Sequence, residues 1–281
     1  LVDRLTPAHD AHVVSHQGSS RGVGTPSIDD MLTCFRVRDS TGVVRGNVFI
    51  SKPAAGMHAI STLSVQQVLD HLQRVQDVIS AERRPRAILF ADLEAASALA
   101  RRLPTAAYFA LTRNLVKATD TAVIDAGGLA GRHVGDGVVA FFPALTSGSP
   151  SAAARACIEA ARSIRAAISD VARRSNLADD DVVLRFGLHW GSTLYIGRIT
   201  TAARAEVTAL GDQVNEAARI EACATGGRTL ASKDLIEHLD AADASALDLD
   251  PDRLAYTRLS ELSTATDKAR RDAPAIAVCD V

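Results

Sequence analysis

From Pro85 onward the apolar positions switch between two rhythms, short runs fit for strands and 3.6-residue spacing fit for helices. The order that results is strand, helix, strand, strand, helix, strand, strand, helix, strand. Residues 86–91 form a short, almost wholly apolar run that predicts a buried strand. A long helix is predicted over 104–126, ended by Gly127-Gly128. Residues 131–134 and 138–142 read as a hairpin across Gly135-Asp136-Gly137, because Asp-Gly tolerates the positive φ of a tight turn. An alanine-rich helix follows over 151–175, then strands over 182–189 and 193–199 with Gly191 between them. A helix over 213–224 and a strand over 228–231 complete the set. Helices covering one face of an antiparallel-rich sheet predict an α+β fold.

Upstream, Val65, Val68, Leu72, Val75 and Ile79 are spaced 3, 4, 3, 4, the seam of a short coiled coil, and Pro85 is the expected stop. Two heptads are too short to pair alone. The segment is read as a linker helix that feeds a dimeric domain, with an ordinary amphipathic helix on a core as the alternative. Phe35, Val37, Val43, Val48 and Ile50 alternate with polar residues around Asp39-Ser-Thr-Gly42, which predicts a hairpin. It is either the tail of a small sensor domain of the PAS or GAF kind or an extra hairpin on the main domain. Residues 1–30, rich in His, Ser, Gly and Asp, read as a loose lead-in. The expected division is an N-terminal segment, 1–63, a linker and dimerisation helix, 64–84, and a main domain, 85–281.

Composition narrows the function classes. A formal charge of −2 offers no cationic excess to displace counterions, and 4% aromatic residues leave few platforms for stacked bases, so nucleic acid is not an expected partner. No apolar run reaches the roughly 20 residues of a membrane-spanning helix. Cys34, Cys157, Cys223 and Cys279 are scattered without Cys-x-x-Cys or zinc-site spacing, and are expected as buried thiols in a reducing cytoplasm. The sequence begins at Leu1 rather than Met, which leaves room for a longer parent chain with an upstream anchor.

Four residues carry the candidate chemistry. Asp92 ends the run 86–91 just before a turn, where it would serve either as a helix cap or as a metal ligand beside phosphate-binding amides. Asp136 is what a tight hairpin asks for, yet on a strand beside that of Asp92 the two carboxylates would meet at one sheet edge and share divalent ions. Asn215 and Arg219 are four apart and project from one helix face. Such a pair suits a ribose and a phosphoryl group, or, more blandly, an exposed helix with Arg219 bridged to Glu216 or Glu221.

Phe90-Ala-Asp92-Leu93, Val134-Gly-Asp-Gly-Val138, Arg185-Phe-Gly-Leu-His189-Trp-Gly191 and Leu210-Gly-Asp-Gln-Val-Asn-Glu-Ala-Ala-Arg-Ile-Glu221 resemble, in order, the catalytic domain of class III adenylyl and guanylyl cyclases. The resemblance covers about residues 86–235. It implies a ferredoxin-like palm, a homodimer with sites at the subunit interface, and two Mg²⁺ or Mn²⁺ ions per site. Asp92 and Asp136 of one subunit would bind those ions, while Asn215 and Arg219 would reach in from the other. Ser97 and Arg185 match triphosphate-holding positions. Where the family reads adenine with lysine and aspartate, this chain has Arg132 and Thr208; threonine resembles a bicarbonate-responsive adenylyl branch. Arginine is bulkier than lysine and keeps its proton. The family's phosphate-gripping lysine near the C-terminus has only Lys268 as a candidate. The implied reaction is cyclisation of ATP to cyclic AMP and pyrophosphate. A guanylyl cyclase, or a catalytically silent relative that binds nucleotide and signals as a dimer, are the alternatives. A diguanylate cyclase fits less, since its Gly-Gly-(Asp/Glu)-Glu-Phe signature is absent.

Overall fold

The computed structural model describes residues 11–16, 30–38, 44–53, 74, 82–131, 137–201 and 204–281, which fall into two compact units, 1–64 and 65–281. Arg132, Asp136 and the whole seam of the expected linker helix lie outside the described residues; of residues 64–81 only Arg74 is described.

The first unit contains a three-stranded antiparallel sheet, β1 (Ala11–His16), β2 (Asp30–Arg38) and β3 (Val44–Pro53), in the order β1-β2-β3. The β2–β3 hairpin is the one its alternation predicts. β1 corrects the reading of residues 1–30 as loose throughout, for Ala11 to His16 pair residue by residue with Phe35 to Asp30.

The second unit begins, for the described chain, at Arg74, whose Nη2 donates to the Ile124 carbonyl at 3.1 Å. Its elements are β4 (Glu82–Leu93), α1 (Ala96–Arg102), α2 (Thr105–Asp125), β5 (Leu129–Ala130), β6 (Val138–Pro143), α3 (Ala144–Ser147), α4 (Pro150–Arg174), β7 (Leu184–Thr201), β8 (Arg204–Leu210) and α5 (Asp212–Cys223). After them come β9 (Thr229–Ser232), α6 (Lys233–Ile236), α7 (Ala241–Ala246), β10 (Thr257–Arg258), α8 (Asp267–Asp272) and β11 (Ala277–Asp280). One sheet runs β10-β11-β9-β7-β4-β6-β5, with β8 also on β7; the β7–β9 pair is parallel and the other described pairs are antiparallel. This is the mixed α+β palm that the motifs imply.

Three expectations need correcting. β4 starts at Glu82, so residues 82–84 are extended rather than the end of a helix, and Pro85 sits inside the strand at a register shift between Arg84 and Arg86. A bulge is where a residue without an N–H donor fits a ladder. Residues 182–189 and 193–199 are not two strands; β7 is continuous from Leu184 to Thr201, and its far end pairs with β8, an element absent from the sequence reading. Gly191 is therefore no turn. A Cβ there would lie 3.1 Å from Ile88 and 3.4 Å from Gln213 of α5, so the glycine serves close approach.

The helices, third, cover both faces of the sheet. Ala87, Leu89, Ala91 and Leu93 of β4 point to the larger core with α2 and α4, where Ala153, Ala154, Cys157, Ala160 and Ala161 let α4 pack closely. Ser149 caps α4 by accepting from the Ala152 amide at 3.0 Å, and Pro150 occupies its first turn. Ile88 points the other way, with Phe90, to a smaller cluster that includes Ala217 of α5. An alternating strand buried on both sides has to be apolar throughout, as residues 87–91 are.

α5 lies directly on β7. A Cβ on Gly187 would come within 2.3 Å of the Glu221 nitrogen and 2.6 Å of the Ala217 carbonyl oxygen. Both are backbone atoms, which cannot swing aside. Gly187→Ala is expected to force α5 off the sheet at a cost of about 2–3 kcal/mol. Denaturant titration checks it, and an unchanged midpoint would mean the helix seat is softer than this contact implies.

Candidate functional site

Three elements converge, β4, β7 and α5. Asp92 is the penultimate residue of β4 and stands opposite Arg185 of β7 in register. Arg185 Nη2 donates to Asp92 Oδ2 at 3.0 Å, and Arg185 Nε donates to Glu221 Oε1 of α5. The Asp92 side chain is 33% exposed, while that of Glu221 is 9% exposed. Burial works against the charge on Arg185, but the carboxylates of Glu221 and Asp92 outweigh it and hold the guanidinium above its usual pKa.

Asp92 is not a helix cap. The residue ahead of α1 is Ala95, left-handed at φ 55° and without a side-chain cap. Glu94 instead reaches across to accept from the amides of Gly226 and Gly227 at 2.8 and 3.2 Å, tying this turn to the chain between α5 and β9. Ser97 is exposed on α1.

On α5, Ala217, Ile220, Glu221 and Cys223 are buried, and Asn215 and Arg219 occupy the other side. Asn215 is exposed, with no side-chain hydrogen bond among the described residues. Arg219 does not pair with Glu216 or Glu221; its Nε donates to Asp272 Oδ2 of α8 at 3.1 Å. Both glutamates are engaged elsewhere, Glu221 by Arg185 and Glu216 by His189, whose Nε2 lies 3.0 Å from Glu216 Oε2. Lys268 is exposed on α8, the helix that Asp272 joins to α5.

His189 and Trp190 pack, as their strand position predicts, with 2% and 5% exposure. They face opposite sides: Trp190 stacks on His238 with ring centroids 3.9 Å apart, in the larger core, while His189 turns to α5. His189 Nδ1 is buried without a hydrogen-bond partner among the described residues. Cys157, Cys223 and Cys279 are free and buried, and burial pushes the Cys279 thiol up to about 11. The side chain of Cys34 lies outside the described residues.

Of the eight site residues expected from the sequence, Asp92 and Arg185 are brought into contact, and Asn215 and Arg219 share one helix side. Arg132 and Asp136 lie outside the described residues. So does the side chain of Thr208, whose backbone pairs with Gly197 across β7 and β8. β4 and β6 stay paired to Ala91 and Val138, one residue short of Asp92 and two residues past Asp136 in sequence. Among the described residues no group of three or more His, Cys, Asp or Glu could hold a metal ion. Asp92 suits a hard cation as one ligand of a set: it is an oxygen donor, partly exposed, and Arg185 is its one partner among the described residues. The sequence offers Glu221 only as a possible partner of Arg219, packs His189, and gives Asp272 no role. Glu221 is the last residue of the Asn215–Arg219 motif, and its helical phase relative to Arg219 was the available signal that it faces the sheet.

The profile of the family "Adenylate and Guanylate cyclase catalytic domain" matches residues 79–253, more than half of the chain. The chain therefore belongs to the family of class III adenylyl and guanylyl cyclase catalytic domains. Among solved structures, the adenylyl cyclase CyaB from P. aeruginosa is similar at 19% identity and TM-score 0.55, over 72% of this chain and 96% of that one. The guanylyl cyclase Cya2 is similar at 20% identity and TM-score 0.57, over 72% and 93%. At these identities the likeness is one of fold. An "Adenylate cyclase" of Podospora anserina is 35% identical over 97 residues, 32% of this chain, which spans 4% of that protein's length. No helix among the described residues is long and apolar enough to cross a membrane.

The bond from His189, working against burial, holds the Glu216 carboxyl below the ordinary glutamate range. A depressed folded pKa contributes stability that is complete above the unfolded value, about pH 4.3, and is lost as pH falls through the folded value. Glu216→Gln is expected to flatten the acid limb of stability below about pH 4.3. Thermal unfolding of both proteins across pH 3–7 checks it, and parallel curves would deny the pair its role.

Proposed function

We propose that this domain cyclises a nucleoside triphosphate, ATP ahead of GTP, to the 3′,5′-cyclic monophosphate and pyrophosphate in cyclic-nucleotide signalling. The reading adds to family membership a homodimer in which each site takes Asp92, Asp136 and Arg185 from one chain and Asn215 and Arg219 from its partner. One observation carries it. Asp92 and Arg185 form one bonded group, while Asn215 and Arg219 are turned to the outer side of α5 and are bonded to neither of them. Within one chain the two halves of the chemistry are separately displayed, as a shared site would need.

Asp92 and Asp136 would hold two Mg²⁺ or Mn²⁺ ions, which supply charge neutralisation along the triphosphate and acidify the ribose 3′-hydroxyl. Arg185 and Ser97 would each bind triphosphate oxygens. Asn215, a neutral donor and acceptor, would orient the ribose so that its 3′-oxygen lies in line with the α-phosphorus. Arg219 would exchange Asp272 for the phosphoryl oxygens that gain charge in the transition state. Arg132 and Thr208 would meet the base. Adenylyl and guanylyl cyclases share this fold, so GTP is the alternative substrate. In the same proposal the linker ahead of β4, residues 64–81, would pair two chains, and 1–63 would carry a regulatory element.

Purified protein with Mn²⁺ and ATP, or GTP in parallel, is expected to release the cyclic nucleotide. Asp92→Ala and Asp136→Ala should each reduce turnover to below about 1%. Chromatography of the products decides, and nucleotide binding without either product would leave a silent relative.

Sharing of the site has its own test. Asp92→Ala and Arg219→Ala should each be inactive alone. Mixed and allowed to exchange, they should recover about a quarter of wild-type turnover, because half the dimers then hold one intact site. No recovery, with exchange demonstrated, would place the whole site in one chain.

A further inference from the structure

Arg185 is held from two sides, and the two carboxylates differ. Asp92 is at the strand mouth, 33% exposed, whereas Glu221 is 9% exposed under α5. A carboxylate that deep is costly unless it is paired, and Glu221 pairs with Arg185 Nε. Its backbone is fixed as well, since the site of the missing Gly187 Cβ lies 2.3 Å from the Glu221 nitrogen and 2.7 Å from its Cα. Glu221 is therefore a rigid post on α5, seated over Gly187, two residues along β7 from Arg185. Because it engages Nε, it fixes the guanidinium plane and leaves the Nη2 edge pointing to Asp92.

We propose that Glu221 is a positioning residue that keeps Arg185 directed at the triphosphate. The inference rests on the cyclase reading above. Once the Asp92 carboxylate serves a cation, Arg185 retains Glu221 through Nε and offers Nη2 to a phosphate oxygen. Without Glu221, Asp92 is the remaining described partner of Arg185. The guanidinium then folds onto that carboxylate, competes with the cation and turns away from the phosphates. Glu221 touches neither substrate nor metal in this scheme; it acts through Arg185.

The test uses the full chain and inorganic tripolyphosphate with Mn²⁺, a probe that has no base and cannot cyclise. Calorimetry should give Glu221→Gln an affinity about tenfold weaker than wild type, the order of one lost charge-assisted contact. Manganese titration followed by electron paramagnetic resonance should shift in the same direction. In turnover, KM should rise by a similar factor with kcat changed less. Adding Glu221→Gln to Arg185→Ala should cost no further affinity, which a merely structural role would not produce. Should Glu221→Gln fail to fold, Glu221→Asp keeps the charge, shortens the reach by one methylene and is expected to give the same loss. Wild-type affinity in the Glu221 variant, or losses that add to those of Arg185→Ala, would overturn the proposal while wild-type turnover stands. A wild type that forms no cyclic product would overturn the cyclase reading and this one together.

Discussion

The seat of α5 on β7 is the constraint from which the site follows. At Gly187 backbone meets backbone, and two polar contacts flank it on the same strand face, the ion pair of Arg185 with Glu221 and the hydrogen bond between His189 and Glu216. Successive residues of a strand alternate sides, so 185, 187 and 189 present one row to the helix. The row fixes which turn of α5 stands over which residue of β7. Sliding the helix by one turn would part the buried Glu221 carboxylate from Arg185. Asn215 and Arg219 are outward because the other side of α5 is committed in this way.

The same strand row orders the electrostatics around Asp92. β4 and β7 bring Asp92 and Arg185 opposite each other, and the helix adds Glu221 from above. Arg185 thus carries one positive charge between two carboxylates of unequal burial. Arg219, on the far side, is balanced by Asp272 rather than by its own helix. Among the described residues, Arg185 and Arg219 are each held by carboxylates, which orients both guanidinium groups.

Much of this was readable in the sequence where a pattern is local. β4, α2 and α4 follow from apolar spacing, and the strongest motif, 210–221, is a single helix with its preceding turn. Gly191 misled because glycine marks turns and close packing alike, and only the neighbour across space distinguishes them. β8 had a signal: Ala205, Val207 and Ala209 alternate with Arg204, Glu206 and Thr208, though alanine is a weak strand former. The partners of Arg185 and Arg219 were not readable. They lie 93, 36 and 53 positions away, beyond what any periodicity encodes. Helical spacing offers Arg219 the carboxylate of Glu216, three positions earlier, but His189 of the sheet holds that carboxylate.

A helix seated by its main chain is indifferent to the identity of its outward side chains. The contact at Gly187 needs two bare peptide groups and a missing methyl, none of which changes when an outer residue of α5 is exchanged. Anchoring and display are thereby assigned to separate atoms. The outward positions are free to drift toward new ligands while the axis that carries them stays where it is.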